Sequence, residues 1–451
     1  MWLALFLSLP LADGQIGFEF LTPSTFKLSR TWGPSPGPAQ AEELKSEHLI
    51  VRISAAGQVT VLAASTGKVL LAEAAPARRV DSEIIIDRLS PADEEFFGLG
   101  PRPDARLASR GLEVATQSPF LLSTAGYAID HKNYGRYRFD LAHSTKDHSR
   151  VLIAGADRLE YLFHYGPSPK EIYEERFKVV GAIEYAPSDV DLLSARDVPR
   201  YARKMDKQPN ACALVHSLVH ASLSGTVAPA VNLDHYPDSD ALAATIPLVY
   251  RDQPMANPAW RERLRPFLLT YLQEVKDRGY PMLHPLPFQY PTEVDARQRA
   301  DEYLLGDELL VAPLCDGNQR SVYLPRGNWT DLRSGVTHKG RQTIQVTGDE
   351  KVPLLFLRNG SILPLAEGTT MALHYTPKLG AEFFIWEPDQ EDITQVHGGP
   401  SADFLRLEIE SKKDRTYEWV VYLGEGKTIR RKVDAKGGGN EIVNIPLPWS
   451  P

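Results

Sequence analysis

A few side chains in the middle of the chain have the type and spacing that could do chemistry. His216 and His220 lie four residues apart in ACALVHSLVHASLSG (211–225), the spacing with which one helix face presents two metal ligands. No glutamate or third ligand accompanies them, and core or rim histidines are far commoner on so apolar a stretch. Cys212 and Cys315 lie far apart, without Cys-x-x-Cys spacing, which argues against a disulfide framework and a structural zinc site. The sequence therefore predicts no metal.

Length and composition limit the classes of protein to which the chain can belong. At roughly 150 residues per domain, 451 residues predict about three domains. The 43% apolar and 24% charged content is ordinary for a globular protein. A net charge of −8 with interspersed signs argues against nucleic-acid and anionic-membrane partners. No apolar run reaches roughly 18 residues, so no integral membrane protein is expected. No nucleotide loop, Ser/His/Asp signature or cysteine nucleophile context occurs, and no cofactor is predicted.

The elements that must position any site are read from the apolar pattern. HLIVRISAAG, QVTVLAASTG and KVLLAEA (48–74) are short β-rich runs separated by glycines, and similar runs continue to residue 166, which predicts an antiparallel sandwich. Residues 167–181, 211–225 and 257–279 have helical spacing, and Pro266 is expected to kink or interrupt the last of these helices. From Asp307 onwards β character returns and predicts one or two antiparallel domains.

The first residues, MWLALFLSLPLA, are apolar and too short to span a bilayer. They are similar to the hydrophobic region of a signal peptide without its basic start, so residues 1–14 are a possible partial signal segment. On that interpretation the protein is secreted or periplasmic, and otherwise it is cytoplasmic. The alternatives are a first β-strand or an artefact of the start site.

Several segments, in order, resemble the retaining glycoside hydrolases of family 31, the α-glucosidase and α-xylosidase group. EFFGLGPRPD (95–104) resembles the family segment FFGLGE, and PFLLSTAGYAID (119–130) resembles its PFLLSSRGYGL strand. HYGPSPKEIYEERFKVVG (164–181) is similar to the helix that leads into the catalytic barrel. The longest match runs from RLRPFLLTYLQEVKDRGYPMLHPLPFQYP (263–291) through DEYLLGDELLVAPL and RSVYLPRGNWTDLRSG to KVPLLFLRNGSILPL. The resemblance implies a β-sandwich, a (β/α)8 barrel and two C-terminal β-domains.

The middle of the chain is too short for such a barrel. A closed (β/α)8 barrel takes about 250 residues, whereas residues 182–306 are room for about four strand–helix units. The predicted fold is therefore a multidomain β-rich α+β chain with a truncated, barrel-derived centre. Its predicted parts are the sandwich at 40–166, the barrel remnant with its leading helix at 167–306, and proximal and distal C-terminal β-domains at 307–366 and 367–451.

The resemblance also implies roles for particular residues. LLSARDVPRYARKMDKQPN (192–210) is similar to the family segment with the acid/base aspartate, especially in the branch of the myogenesis-regulating glycosidase, where the pattern is VRMIDK. Asp206 is accordingly the acid/base candidate, and the substrate-binding candidates are Arg196, Arg203, Asp234 of AVNLDHYPD and Arg251 of LVYRDQP. The alternative for Asp206 is a solvated loop acid between Lys204 and Lys207.

No segment resembles the strand that carries the family's nucleophile. Between Gly181 and Arg196 the segment SDVDLL supplies Asp189 and Asp191, and they lack the family pattern. A retaining glycosidase needs two carboxylates, so the missing nucleophile predicts impaired activity.

Three functional hypotheses follow. By resemblance the chain is an O-glycosyl hydrolase that acts on α-glycosides. Hydrolysis of aryl α-glycosides by the purified protein would test this hypothesis. The alternative is a non-catalytic carbohydrate-binding or scaffold protein, a pseudoenzyme. A third possibility is a truncated gene product that does not fold stably, because half a barrel leaves unpaired strand edges. The expected partner is a carbohydrate, and the sequence leaves the sugar, its linkage and the oligomeric state open.

Overall fold

The computed structural model describes residues 6–181, 190, 198, 200, 202–236, 240–251, 259–314, 317–349, 351–378, 380–401 and 403–446. Strands build both ends of the chain and the long helices lie in the middle, which confirms the predicted multidomain, β-rich α+β class. No helix within these ranges combines the length and the apolarity that a membrane crossing requires.

The N-terminal region is the predicted β-sandwich. Its strands are β1 Leu7–Leu11, β2 Gly14–Thr22, β3 Thr25–Trp32, β4 Glu42–Lys45, β5 Leu49–Ile53, β6 Val59–Ala63, β7 Val69–Ala72, β8 Arg78–Val80, β9 Glu83–Leu89, β10 Phe96–Gly98, β11 Leu112–Thr116, β12 Phe120–Ser123, β13 Tyr127–His131, β14 Arg136–Leu141, β15 His148–Ala154 and β16 Arg158–Tyr165. They form sheets in the orders β1-β2-β3-β16-β13-β12-β10, β11-β14-β15-β9-β8 and β4-β5-β6-β7. Alternating apolar residues fill the core, where the Phe26 ring stacks on Phe18 and Phe163, each 5.0 Å away.

The sandwich extends further towards the N-terminus than the predicted start at residue 40. β1 pairs antiparallel with β2, and β3 pairs with β16, so residues 7–32 belong to the seven-stranded sheet. Leu9 and Leu11 are buried there, in a strand that contains part of the segment compared with a signal peptide. Alternating burial along this strand is typical of a strand that packs one face against a core.

The centre of the chain alternates short parallel strands with helices. In order, the elements are α1 Pro169–Val180, β17 Arg203–Lys204, α2 Ala211–Leu223, β18 Pro229–Asn232, α3 Asp240–Ala243, β19 Leu248–Tyr250 and α4 Ala259–Arg278. β17, β18 and β19 form one parallel sheet. Three parallel strands are thus present in the described part of the centre, where a closed barrel has eight.

The long helices before and after these strands in the sequence, α1 and α4, have different causes. The Ser168 hydroxyl and the Glu171 carboxylate form a reciprocal capping box at the start of α1, and Gly181, with φ of 92°, follows its end. α4 is continuous through Pro266, so the expected interruption is wrong. Tertiary packing of its buried face, which includes Phe267 and Leu268, offsets the hydrogen bond that proline removes.

The C-terminal region forms mostly antiparallel β-domains with different borders from those predicted. The elements are β20 Leu283–Pro285, α5 Leu286–Gln289, β21 Tyr303–Leu305, β22 Leu309–Val311, β23 Gln319–Leu324, β24 Asn328–Asp331, β25 Thr337–Lys339, β26 Gln342–Thr347, β27 Leu355–Arg358, β28 Ser361–Glu367, β29 Thr370–Thr376, β30 Ala381–Glu387, β31 Asp392–Pro400, β32 Phe404–Glu410, β33 Arg415–Gly424, β34 Lys427–Ala435 and β35 Asn440–Pro446. The sheet order β20-β21-β22-β27-β24-β25 begins before residue 307, because β20 and β21 pair into it. β28 pairs with β29 of the next sheet, so the second border precedes residue 366.

The central and distal parts share one apolar core. α4 packs against β28 and β30, and the Phe267 ring stacks on Phe383 with centroids 5.7 Å apart. The central helix α4 is therefore held against the distal domain.

Candidate active site at the strand edge

Three adjacent parallel strands bring the candidate residues to one edge of the central sheet. Asp206 lies two residues past the end of β17, Asp234 two residues past β18, and Arg251 directly after β19. In parallel sheets the carboxyl ends of the strands meet at one edge, which is where α/β proteins bind ligands. The structure thus brings together three of the five residues that the resemblance implied.

Asp234 and Arg251 form an ion pair at this edge. The Arg251 Nε lies 3.8 Å from the Asp234 Oδ1, with the side chains 12% and 32% exposed. The Asp234 amide donates to the Asn232 side-chain oxygen at 2.9 Å, which fixes the turn. Burial, and then the Asp234 carboxylate, raise the pKa of the neighbouring Tyr250 hydroxyl. A carboxylate, a guanidinium and a phenol in one place can exchange hydrogen bonds with a polyhydroxylated ligand.

Asp206 lies in an exposed loop whose backbone is anchored at both ends. The amide of buried Met205 donates to the Ala230 carbonyl at 2.9 Å, which ends the pairing with β18. Two residues later the Gln208 side chain donates to the Asp206 carbonyl at 3.1 Å. The Asp206 side chain is exposed between these anchors. Nearby on β17, the Lys204 Nζ lies 5.3 Å from the Tyr250 ring centroid.

The structure describes one of the remaining candidates. Arg203 is exposed on β17, and its Nη2 donates to the Ser118 hydroxyl of the sandwich at 3.3 Å, which turns this arginine towards the N-terminal domain. Arg196, Asp189 and Asp191 lie outside the described residues.

The two histidines of α2 contact backbone carbonyl groups of the N-terminal region. The His216 Nδ1 lies 2.8 Å from the Pro103 carbonyl oxygen, and the His220 Nε2 lies 3.2 Å from that of Asp104. Burial lowers the pKa of His220, which favours the neutral ring. Across the described ranges no three histidine, cysteine or acidic side chains are grouped as a metal would require.

One residue that the sequence reasoning missed joins the Asp206 and Asp234 loops. The Tyr236 hydroxyl accepts from the Gln208 amide at 2.7 Å and donates to the Gln208 carbonyl at 3.3 Å. The available signal was weak, a tyrosine two residues after Asp234 in AVNLDHYPD.

A polar cluster between α4 and the proximal β-domain was also missed. His284 Nδ1 lies 3.1 Å from Asp307 Oδ1, and Tyr271 donates to the adjacent Glu308. Burial and the charge of Asp307 raise the pKa of Glu308 to about 7. Although burial opposes it, His284 and Lys170 hold the pKa of Asp307 well below its usual range. The cluster connects α4, through Tyr271, to the loop that precedes β22, and so links the centre of the chain to the proximal β-domain.

Sequence comparisons identify relatives of part of the chain. Residues 279–363 match the family model described as "Glycosyl hydrolase family 31 C-terminal domain". Alpha-glucosidase 2 of Bacillus thermoamyloliquefaciens is 27% identical over 173 residues, 36% of this chain and 22% of that protein. The isomaltosyltransferase of Sporosarcina globispora is 32% identical over 189 residues, 41% of this chain and 16% of that protein. The chain therefore spans less than a quarter of the length of these relatives.

Solved structures resemble the fold over nearly the whole chain. A family 31 dextranase of Flavobacterium johnsoniae, solved with glucose, has a TM-score of 0.73 at 13% identity and covers 99% of both chains. The cycloalternan-forming enzyme of Listeria monocytogenes, solved with a pentasaccharide substrate, has a TM-score of 0.75 at 13% identity over 96% of this chain and 74% of that chain. These matches confirm the resemblance: the chain carries a glycosyl hydrolase family 31 C-terminal domain, on a fold that it shares with an enzyme of that family.

Proposed function

We propose that the chain acts on α-linked glycosides, with the sugar bound at the edge formed by Asp206, Asp234 and Arg251. The supporting observation is that three polar residues follow three adjacent parallel strands, two of them in an ion pair. The α-glucosidase and isomaltosyltransferase relatives make an α-glucoside the first substrate to test.

In this proposal Asp206 is the acid/base that protonates the leaving oxygen, and the Asp234–Arg251 pair binds sugar hydroxyls. A second carboxylate must complete the reaction, at about 5–5.5 Å from the first for retention or about 6.5–9.5 Å for inversion. Asp234, two residues past the neighbouring strand β18, is one candidate, and in that case Arg251 alone binds the sugar hydroxyls. Asp189 and Asp191 are the others, and they lie outside the described residues.

A second candidate function is carbohydrate binding without turnover. Its supporting observation is the exposure of Asp206, because a general acid works best from an enclosed site. The ion pair and Tyr250 would then bind a sugar that is not cleaved.

The test uses the purified full chain with p-nitrophenyl α-glucoside and α-galactoside, and with isomaltotriose in a calorimeter. Hydrolysis that Asp206→Asn reduces at least about 100-fold, as expected on removal of an acid/base, supports the first proposal. Asp157→Asn is the matched control, because Asp157 is an exposed aspartate in the sandwich. Binding that Arg251→Ala abolishes, without turnover, supports the second. Neither hydrolysis nor binding would overturn both.

A further inference from the structure

One buried side chain connects the two loops that carry the candidate carboxylates. Tyr236 is 8% exposed, and its hydroxyl bridges the backbone amide and carbonyl of Gln208, at 2.7 and 3.3 Å. Burial raises the pKa of this hydroxyl, so it keeps the proton that it donates. A single group therefore binds the peptide two residues after Asp206.

On the Asp206 side, this bridge determines where the loop lies. Residues 205–208 have no regular structure, and both Asp206 and Lys207 are exposed. The Met205 amide holds one end of the segment to Ala230. At the other end the Gln208 side chain donates to the Asp206 carbonyl, while the Gln208 backbone is held by the tyrosine. Without the hydroxyl, the exposed carboxylate would be anchored to the sheet from one side alone.

On the Asp234 side, the tyrosine terminates a rigid turn. Leu233–His235 is a single turn of 3₁₀-helix, capped at its start by the Asn232 side chain. The Tyr236 amide donates to the Leu233 carbonyl at 2.9 Å and closes the turn. Asp234, within the turn, pairs with Arg251. The phenol thus extends from the turn that follows β18 to the irregular loop that follows β17.

We propose that Tyr236 is a positioning residue, which holds the Asp206 loop in register with the Asp234–Arg251 pair through the backbone of Gln208. The positioning itself is a property of the structure, and its consequence for turnover rests on the function proposed above.

The test is hydrogen exchange of the Gln208 amide in the full chain, combined with kinetics. In the wild type this amide, although in an irregular loop, should be protected. Tyr236→Phe keeps the ring and removes the hydroxyl, and should speed exchange at Gln208 about tenfold while the melting temperature stays within a few degrees. Tyr134→Phe is the control, since Tyr134 is 98% exposed.

Kinetics on the aryl α-glucoside provide a second readout. Tyr236→Phe should lower kcat several-fold and change KM little, because it misplaces the acid/base rather than the binding pair. An unprotected Gln208 amide in the wild type, or equal protection in Tyr236→Phe, would overturn the proposal. Absence of wild-type turnover would reject hydrolysis and leave the exchange result to decide the role of Tyr236.

Discussion

The buried carboxyl group of Glu73 predicts how the stability of the sandwich depends on pH. Glu73 follows β7, is 3% exposed, and accepts the Val59 amide on its Oε2 at 2.9 Å. Burial raises its pKa from 4.5 to about 7, and the nearby charges of Arg88 and Arg30 offset this only in part. Each pKa unit corresponds to about 1.4 kcal/mol, so the gap amounts to about 3 kcal/mol.

The sign follows from proton binding. Between pH 4.5 and 7 the folded state holds a proton on Glu73 that the unfolded state has released. The contribution of Glu73 to stability is therefore fully present below about pH 4.5 and is lost as the pH rises to about 7. Glu73→Gln carries a permanently neutral group of the same shape, so it should gain about 3 kcal/mol relative to the wild type between pH 4.5 and pH 8.

Native-state hydrogen exchange of β5 and β6 measures this difference in the domain concerned. Variant and wild type are compared at the same pH, so that the intrinsic exchange chemistry cancels. The matched control is Glu83→Gln, because Glu83 is an exposed glutamate on β9. If Glu73→Gln and the wild type show the same pH dependence, the carboxyl group is ionised in the folded sandwich and the reasoning is refuted.

Two further substitutions test packing, one beside β19 and one in the sandwich. Arg261 is buried and donates to three backbone carbonyls at 243–247, so Arg261→Met should cost about 3 kcal/mol and lower the melting temperature by several degrees; an unchanged melting temperature would contradict this. Gly98 has φ of 96°, and a Cβ there would lie 2.4 Å from the Phe120 carbonyl oxygen, so Gly98→Ala should destabilise the chain by more than about 2 kcal/mol. Gly111→Ala, at φ of 78° with open space around it, separates backbone strain from the clash, and equal losses in the two variants would refute the clash.

The parts of the fold that local chemistry determines could be predicted. The capping pattern of Ser168 and Glu171 and the stop at Gly181 fix α1, and alternating apolar residues indicate the strands of the sandwich. The membership of β20 and β21 in the proximal sheet could not, because pairing partners far along the chain decide it. The same holds for the N-terminal residues, whose apolar pattern suits a signal segment as well as a strand.

For the candidate site, the resemblance named residues and could not give their contacts. The resemblance identified Asp206, Asp234 and Arg251, which reach one edge because their strands are parallel neighbours. That Arg203 turns to Ser118 depends on the placement of a separate domain, which no local pattern encodes. The bridge from Tyr236 spans 28 residues of sequence and depends on loop conformation.

Because Phe267 stacks on Phe383, the last β-sheets form part of the central core. The helix that carries Phe267 thus packs against a residue more than 100 positions downstream. A shortened version of the protein that kept every candidate site residue but ended before residue 381 would expose the Phe267 face of this helix to solvent.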